Sequence, residues 1–171
     1  MARVRSFPPI EDGRARVLVL GSMPGAASLA AGRYYAHPRN LFWPILCDLL
    51  GADPALPYAA RTRLLKANGI ALWDVLESCV REGSLDSSIE DSTAAANDFA
   101  SFYREHPRIS QVFFNGAKAE SAYRRHVRAA VRETGRPRIY VRLPSTSPAH
   151  AALSFAQKRD AWRAVMAAGR A

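Results

Sequence analysis

Cysteine is scarce: Cys47 and Cys79 are the only two in a chain of 171 residues. Two thiols make no disulfide framework, and a Cys-ligated zinc or iron–sulfur centre ordinarily needs about four ligands at close spacing. Long apolar runs are missing too. No stretch approaches the ~20 residues of a membrane span, and the opening "MARVRSFPPI" lacks the apolar segment of a signal peptide. A cytoplasmic protein is the expectation. Internal repeats and low-complexity segments are also absent. The length fits one domain, residues 1–171, large enough for a single sizeable core.

Positive charge, by contrast, is abundant. Lys plus Arg is 24 against 15 acidic residues, a formal net charge of +9, and nearly all the cations are arginine. Arginine pairs bidentately with phosphate, so the balance points to a polyanionic partner, nucleic acid above all. A general preference for arginine over lysine would give the same composition.

Four segments read as buried strands: "RVLVLG" (16–21), "GIALWDVL" (69–76), "ISQVFFNG" (109–116) and "RIYVRLPS" (138–145). Helical patterns fall between them, at 41–50, 58–67, 93–105 and 117–132. In 117–132, Ala119, Tyr123, Val127 and Ala130 form an apolar stripe. Arg124, Arg128 and Arg132 form a basic one that reads as solvated surface. A last helix starts near Ser154, where "SFAQ" is a capping box, and is expected to bury Phe155, Trp162, Val165 and Met166. Strands alternating with helices predict a three-layer α/β/α sandwich around a mainly parallel sheet of about four strands.

Ligands of open parallel sheets sit beyond the carboxyl ends of the strands. That rule selects "GSMPGAAS", "WDVLES", "NGAK" and "LPSTSPAH", together with the loop "YYAHPRNLFW" that leads to Asn40. Each has a plain reading beside a functional one. "GSMPG" is an ordinary strand-to-helix turn or a cradle of N–H groups; it is neither a dinucleotide fingerprint nor a P-loop. In "LPSTSPAH", Ser145, Thr146 and Ser147 can donate to phosphate oxygens from a loop stiffened by two prolines, or simply join strand to helix. Asn115 in "FFNG" offers a donor and an acceptor suited to a nucleobase edge, or satisfies a turn. Asp74 is a site carboxylate or the partner of an arginine. Asn40 is a favoured helix N-cap just ahead of Pro44, and the residues alone do not displace that role. His37 and His150 stand near no Ser or Cys with an acid to match, so no hydrolase triad is supported.

As an ordered set, "GSMPGAASL…YYAHPRNLFW", "GIALWDVL", "FFNG" and "LPSTSPAH" resemble the uracil-DNA glycosylase superfamily over roughly residues 16 to 168. Within it the chain is most similar to the hypoxanthine-DNA glycosylase (deoxyinosine glycosylase) branch. The uracil-excising branches carry Asp in the first motif and the mismatch-specific branch carries Asn; Met23 stands there in this chain. The resemblance implies a monofunctional glycosylase that acts on DNA containing deaminated bases, needs no cofactor or metal, and works as a monomer. It implies that Asn40 holds the attacking water. It implies that Gly21, Ser22, Met23, Tyr35 and Asn115 surround the flipped base, with Tyr35 stacking on it. Ser145 and Ser147 would hold phosphates, and the Pro148–Ala149–His150 tip would approach the gap left in the duplex.

Overall fold

The computed structural model describes residues 2–132 and 136–169. The chain begins with β1 (Arg3–Arg5), β2 (Val17–Gly21) and three helices, α1 (Ala26–Ala31), α2 (Phe42–Leu49) and α3 (Tyr58–Ala67). Next come β3 (Ile70–Asp74), β4 (Leu76–Arg81), a 3-10 turn at Asp86–Ser88, β5 (Ile89–Ala96) and α4 (Phe99–Glu105). The last part holds β6 (Gln111–Asn115), α5 (Ala117–His126), α6 (Arg128–Val131), β7 (Ile139–Leu143) and α7 (Phe155–Gly169).

The four expected strands form one parallel sheet in the order β3-β2-β6-β7, but β7 is not buried as expected: it is the edge strand, and Ile139, Tyr140 and Arg142 are exposed. Side chains of a strand alternate between faces, and the core divides accordingly. Val17, Val19, Ile70, Leu72 and Phe113 pack with Phe42, Leu46, Leu65, Trp162 and Val165 of α2, α3 and α7. Leu18, Leu20, Trp73, Val112 and Phe114 pack on the other face with Phe99, Phe102 and Tyr103 of α4 and Ala119 and Tyr123 of α5. The α/β/α layering is therefore as the alternation predicts.

A second sheet was not expected. β1, β4 and β5 pair antiparallel in the order β1-β4-β5 and pack through Cys79 and Ile89 on the α4–α5 side. The run "GIALWDVL" serves both sheets: it leaves the parallel sheet after Asp74 and enters the small one at Leu76. The expected helix over 93–105 is likewise divided. Residues up to Ala96 pair with β4, and the helix begins only after Asp98, whose side chain caps it by accepting from the Ser101 N–H. Three consecutive alanines favour a helix locally, but cross-strand pairing overrides that preference.

The helix expected over 117–132 breaks at Val127, which separates α5 from α6; Val131 is buried there and Ala130 is exposed. The capping box is present, with Ser154 N–H donating to Gln157 Oε1 at 2.8 Å and Gln157 N–H to Ser154 Oγ at 3.2 Å. Of the four residues expected under α7, Trp162 and Val165 are buried and Met166 is half-buried, while Phe155 is exposed. Phe155 opens the helix and lies beneath the Arg159 guanidinium, 6.0 Å from its ring centre.

Trp162 does more than fill space. Its indole N–H donates to the Pro144 carbonyl at 2.9 Å, so the core of α7 holds the start of the 144–150 loop. Trp162→Phe keeps an aromatic ring and removes that donor. It is expected to lower the unfolding free energy by about 1–3 kcal/mol, read from urea unfolding with an unchanged slope.

Candidate active site

Three neighbouring strands end in a row on the same face. Gly21 of β2 is paired with Asp74 of β3, and Asn115 of β6 lies one residue past the Leu20–Phe114 pair. All three share the parity of Val19, Leu72 and Phe113, so they continue the α2–α7 face of the core to its upper edge. There the apolar pattern gives way to a small residue, a carboxyl and a carboxamide. Above this edge lies a cavity of about 690 Å³, within the roughly 300–1,000 Å³ usual for ligand sites. Gly21, Ser22, Met23, Tyr35, Asn40, Asn115, Ser145, Ser147, Pro148, Ala149 and His150 all line it. The structure thus brings every expected site residue to one place. Asp74, whose role the sequence left open, lines it as well.

Gly21 is required by close approach. A Cβ there would lie 2.5 Å from Asp74 Oδ1 and 2.9 Å from the Tyr35 hydroxyl. Without a Cβ, the Asp74 carboxyl and the Tyr35 hydroxyl close directly onto the Gly21 backbone. Asp74 is 3 % exposed, and its Oδ2 makes no hydrogen bond. Burial, reinforced by the nearby Asp86 charge and opposed by Arg81, pushes its pKa up to about 7. The Tyr35 hydroxyl is also buried without a partner, although Asn115 and Asp74 both lie beside it. Burial and the Asp74 charge raise its pKa well above the usual phenol value.

Tyr35 has φ 55°, the only positive φ of a non-glycine residue among the described ones. Such a conformation costs of order 1–3 kcal/mol and persists only where the surroundings enforce it. Phe42 stacks on the ring at 4.2 Å between centroids, and Tyr34 beside it anchors the loop by donating to the Pro8 carbonyl at 2.8 Å. The strain therefore holds the Tyr35 hydroxyl over Gly21.

Asn40 is half-buried just before α2. The N-cap of α2 is Leu41, not Asn40 as expected; Asn40 stands one residue earlier, where its Oδ1 still accepts from the first helical N–H, that of Phe42, at 2.9 Å. A carboxamide oxygen has two lone pairs. One serves that N–H, and the other is left for a donor such as water.

The 144–150 loop is held from below. Thr146 is completely buried. Its N–H donates to Asn115 Oδ1 and its hydroxyl accepts from Asn115 Nδ2, both at 2.9 Å, while its carbonyl accepts from the Leu41 N–H at 3.0 Å. The expectation that Thr146 faces a phosphate is therefore corrected: it points inward and joins β6 to the Asn40 segment. Ser145 and Ser147 differ, since their hydroxyl oxygens accept from the N–H groups of Ser147 and Ala149 and these bonds leave both hydroxyl hydrogens unused. Lys158, itself buried, donates to the His150 carbonyl at 2.6 Å and fixes the far end of the loop. Gly116 lets the loop descend; it has φ 91°, and a Cβ on it would meet Ser145 Cβ at 3.0 Å.

The opposite lip was not foreseen. The turn after β4 brings Ser84, Leu85, Asp86 and Ser87 to the cavity. It grips the first motif: Ser22 Oγ donates to Asp86 Oδ1 at 2.6 Å, and the Ala26 N–H donates to Ser84 Oγ at 2.8 Å. Buried Arg81 reaches the carbonyls of Pro24 and Gly83 at 2.6 and 2.9 Å. In the sequence the signal is only a Gly/Ser turn, "EGSLDSS", and the strand-end rule passes over it because its strand belongs to the small sheet.

The raised pKa of Asp74 has a stability consequence. Its carboxyl binds a proton more tightly folded than unfolded, where its pKa is about 3.9. The native state therefore loses stability as pH rises from about 4 to about 7, with the full penalty remaining above. Asp74→Asn removes the titrating group. Its thermal midpoint should match the parent near pH 3.5 and exceed it at pH 8, by an amount equivalent to roughly 2–4 kcal/mol.

Known proteins share this sequence and this fold. The family model of the uracil DNA glycosylase superfamily matches residues 8–166. A hypoxanthine DNA glycosylase from Methanosarcina barkeri is 39% identical over 116 residues, 67% of this chain and 72% of the relative. A hypoxanthine DNA glycosylase from Methanosarcina acetivorans is 37% identical over the same shares. The solution NMR structure of a candidate uracil DNA glycosylase from Methanosarcina acetivorans superposes with a TM-score of 0.81 at 32% identity, covering 99% of this chain and 100% of that one. The match over nearly the whole chain, on a sheet edge that gathers all the expected residues, means that this protein belongs to the uracil DNA glycosylase superfamily.

Proposed function

We propose that the protein is a monomeric, monofunctional DNA glycosylase that hydrolyses the N-glycosidic bond of deaminated bases, chiefly hypoxanthine in deoxyinosine, and leaves an abasic site for base excision repair. The observation that carries the reading is the meeting of Asn40, Asn115 and Tyr35 in one cavity, in a chain whose curated relatives are named hypoxanthine DNA glycosylases.

The reaction needs a base turned out of the duplex, stabilisation of the departing anion and a placed water. Asn40 supplies the last. Its free lone pair accepts from a water and aims it at C1′, without acting as a strong base, because a carboxamide does not titrate. Met23 lies in the wall at the first-motif position and is nearly buried, and a thioether cannot orient water; this favours the Asn40 route over an acid in that motif. Asn115 meets the base edge with the N–H and lone pair left over from Thr146. Ser145 and Ser147 donate to backbone phosphates, and Arg39, His37 and His150 around the cavity add positive or polar contacts.

The test is base release from duplexes carrying one deoxyinosine or one deoxyuridine. The parent is expected to prefer deoxyinosine. Asn40→Ala should lose on the order of 100-fold in rate, as expected for a misplaced reactant. Asn40→Asp keeps an acceptor for both the Phe42 N–H and the water and should retain most activity. Thermal unfolding of each variant separates the lost hydrogen bond to the helix start from the lost chemistry. An Asn40→Ala protein that is folded and cleaves at the parent rate would sink the assignment of the water to Asn40.

A further inference from the structure

Asp74 has no part in the scheme above, yet it is the buried carboxyl of the cavity; Asp86, the other carboxyl in the wall, is exposed. The Asp74 carboxyl and the Tyr35 hydroxyl meet over the Gly21 backbone, and the Asn115 carboxamide lies beside that hydroxyl in the same cavity. Two of them are left without a hydrogen-bond partner, at Asp74 Oδ2 and the Tyr35 oxygen. Buried polar atoms of a native fold are nearly always paired, and orphans call for an explanation. A structural ion pair would give Asp74 one. Arg81, the nearest cation, instead binds the carbonyls of Pro24 and Gly83.

We propose that the cavity above Gly21 seats the polar edge of the expelled base, and that Asp74 in its acid form touches that base and gives it a proton as it leaves. The inference rests on the glycosylase reading above and adds the group that handles the leaving base. The balance is simple. The water held by Asn40 forms the new C–O bond at C1′. The electron pair of the C1′–N bond departs with the base. Asp74 transfers its proton to the base and becomes a carboxylate, and the water's surplus proton goes to solvent, from which Asp74 is protonated again. A carboxylic acid kept neutral in an apolar site is a good hydrogen-bond donor to a developing anion.

The groups facing Asp74 favour this state. Burial and the like charge of Asp86 on the 3-10 turn hold the proton on Asp74, and Arg81 on β4 opposes them; the neutral phenols of Tyr34 and Tyr35 beside it add no charge. The raised pKa lets the acid form persist to neutral pH. Activity therefore falls as pH rises through the titration of Asp74.

Two measurements test this. The first is the single-turnover rate of base release from deoxyinosine duplex across pH, for the parent, Asp74→Asn and Asp74→Ala, each checked for folding by circular dichroism. The parent should lose about tenfold per pH unit on the alkaline side. Asp74→Asn, which keeps a donor that does not titrate, should be nearly flat there. Asp74→Ala should be slower by about 100-fold. A merely structural Asp74 would change stability and leave the alkaline limb in place, and that result overturns the proposal. The second measurement follows the Asp74 carboxyl carbon by NMR while free hypoxanthine is added, with Asp74→Asn assigning the signal. A shift on addition supports contact with the base, and an unmoved signal with saturating base overturns it. If the parent releases no base from either duplex, the glycosylase reading fails, and the NMR titration still decides whether Asp74 meets a base.

Discussion

The double hydrogen bond between the Asn115 carboxamide and Thr146 is the join on which the cavity depends. It fastens the end of a central strand to a loop that would otherwise be free at the protein surface. Through the Thr146 carbonyl the same join reaches Leu41, and so fixes the residue after Asn40. Trp162 and Lys158 then hold the two ends of the loop to α7. The distance between the Asn40 carboxamide and the hydroxyls of Ser145 and Ser147 is therefore set by bonds within the protein. Such preorganisation matters because a displacement of about 1 Å can cost two orders of magnitude in rate.

The floor of the site follows a different logic. Gly21 and Asp74 lie side by side in the last register position of two paired strands, where an apolar residue on each would close the core. Instead the fold keeps a glycine and a buried carboxyl, and accepts a strained Tyr35 above them. These are costs to stability concentrated at one spot, the pattern expected where chemistry and packing compete. The extensive apolar contacts on both sheet faces offset them.

How far the sequence disclosed this depends on the kind of signal. The parallel strands were legible because each is a short apolar run flanked by turn residues. The motif set was legible because its members fall at successive strand ends. The small antiparallel sheet was not. β5 is mostly half-buried and ends in three alanines, so it lacks a strand's alternation and has only Ile89 and Thr93 as β-branched residues, and its identity comes from pairing with β4. The inward turn of Thr146 was equally hidden, because three adjacent hydroxyl residues look alike until the backbone decides which one faces the core. Asp74 was visible as a polar residue ending an apolar strand, but only the register beside Gly21 shows what it faces.

The small sheet makes the cavity sensitive to a remote part of the chain. Arg81, which clamps both the first motif and the turn opposite the 144–150 loop, ends strand β4. β4 in turn is bordered on one side by β1, where Arg3 pairs with Val80 and Val4 with Cys79. Residues 3–5 are thus a brace for one wall of the site, although they lie far from every motif. A tag or fusion joined just ahead of them is attached, in space, to one wall of the cavity.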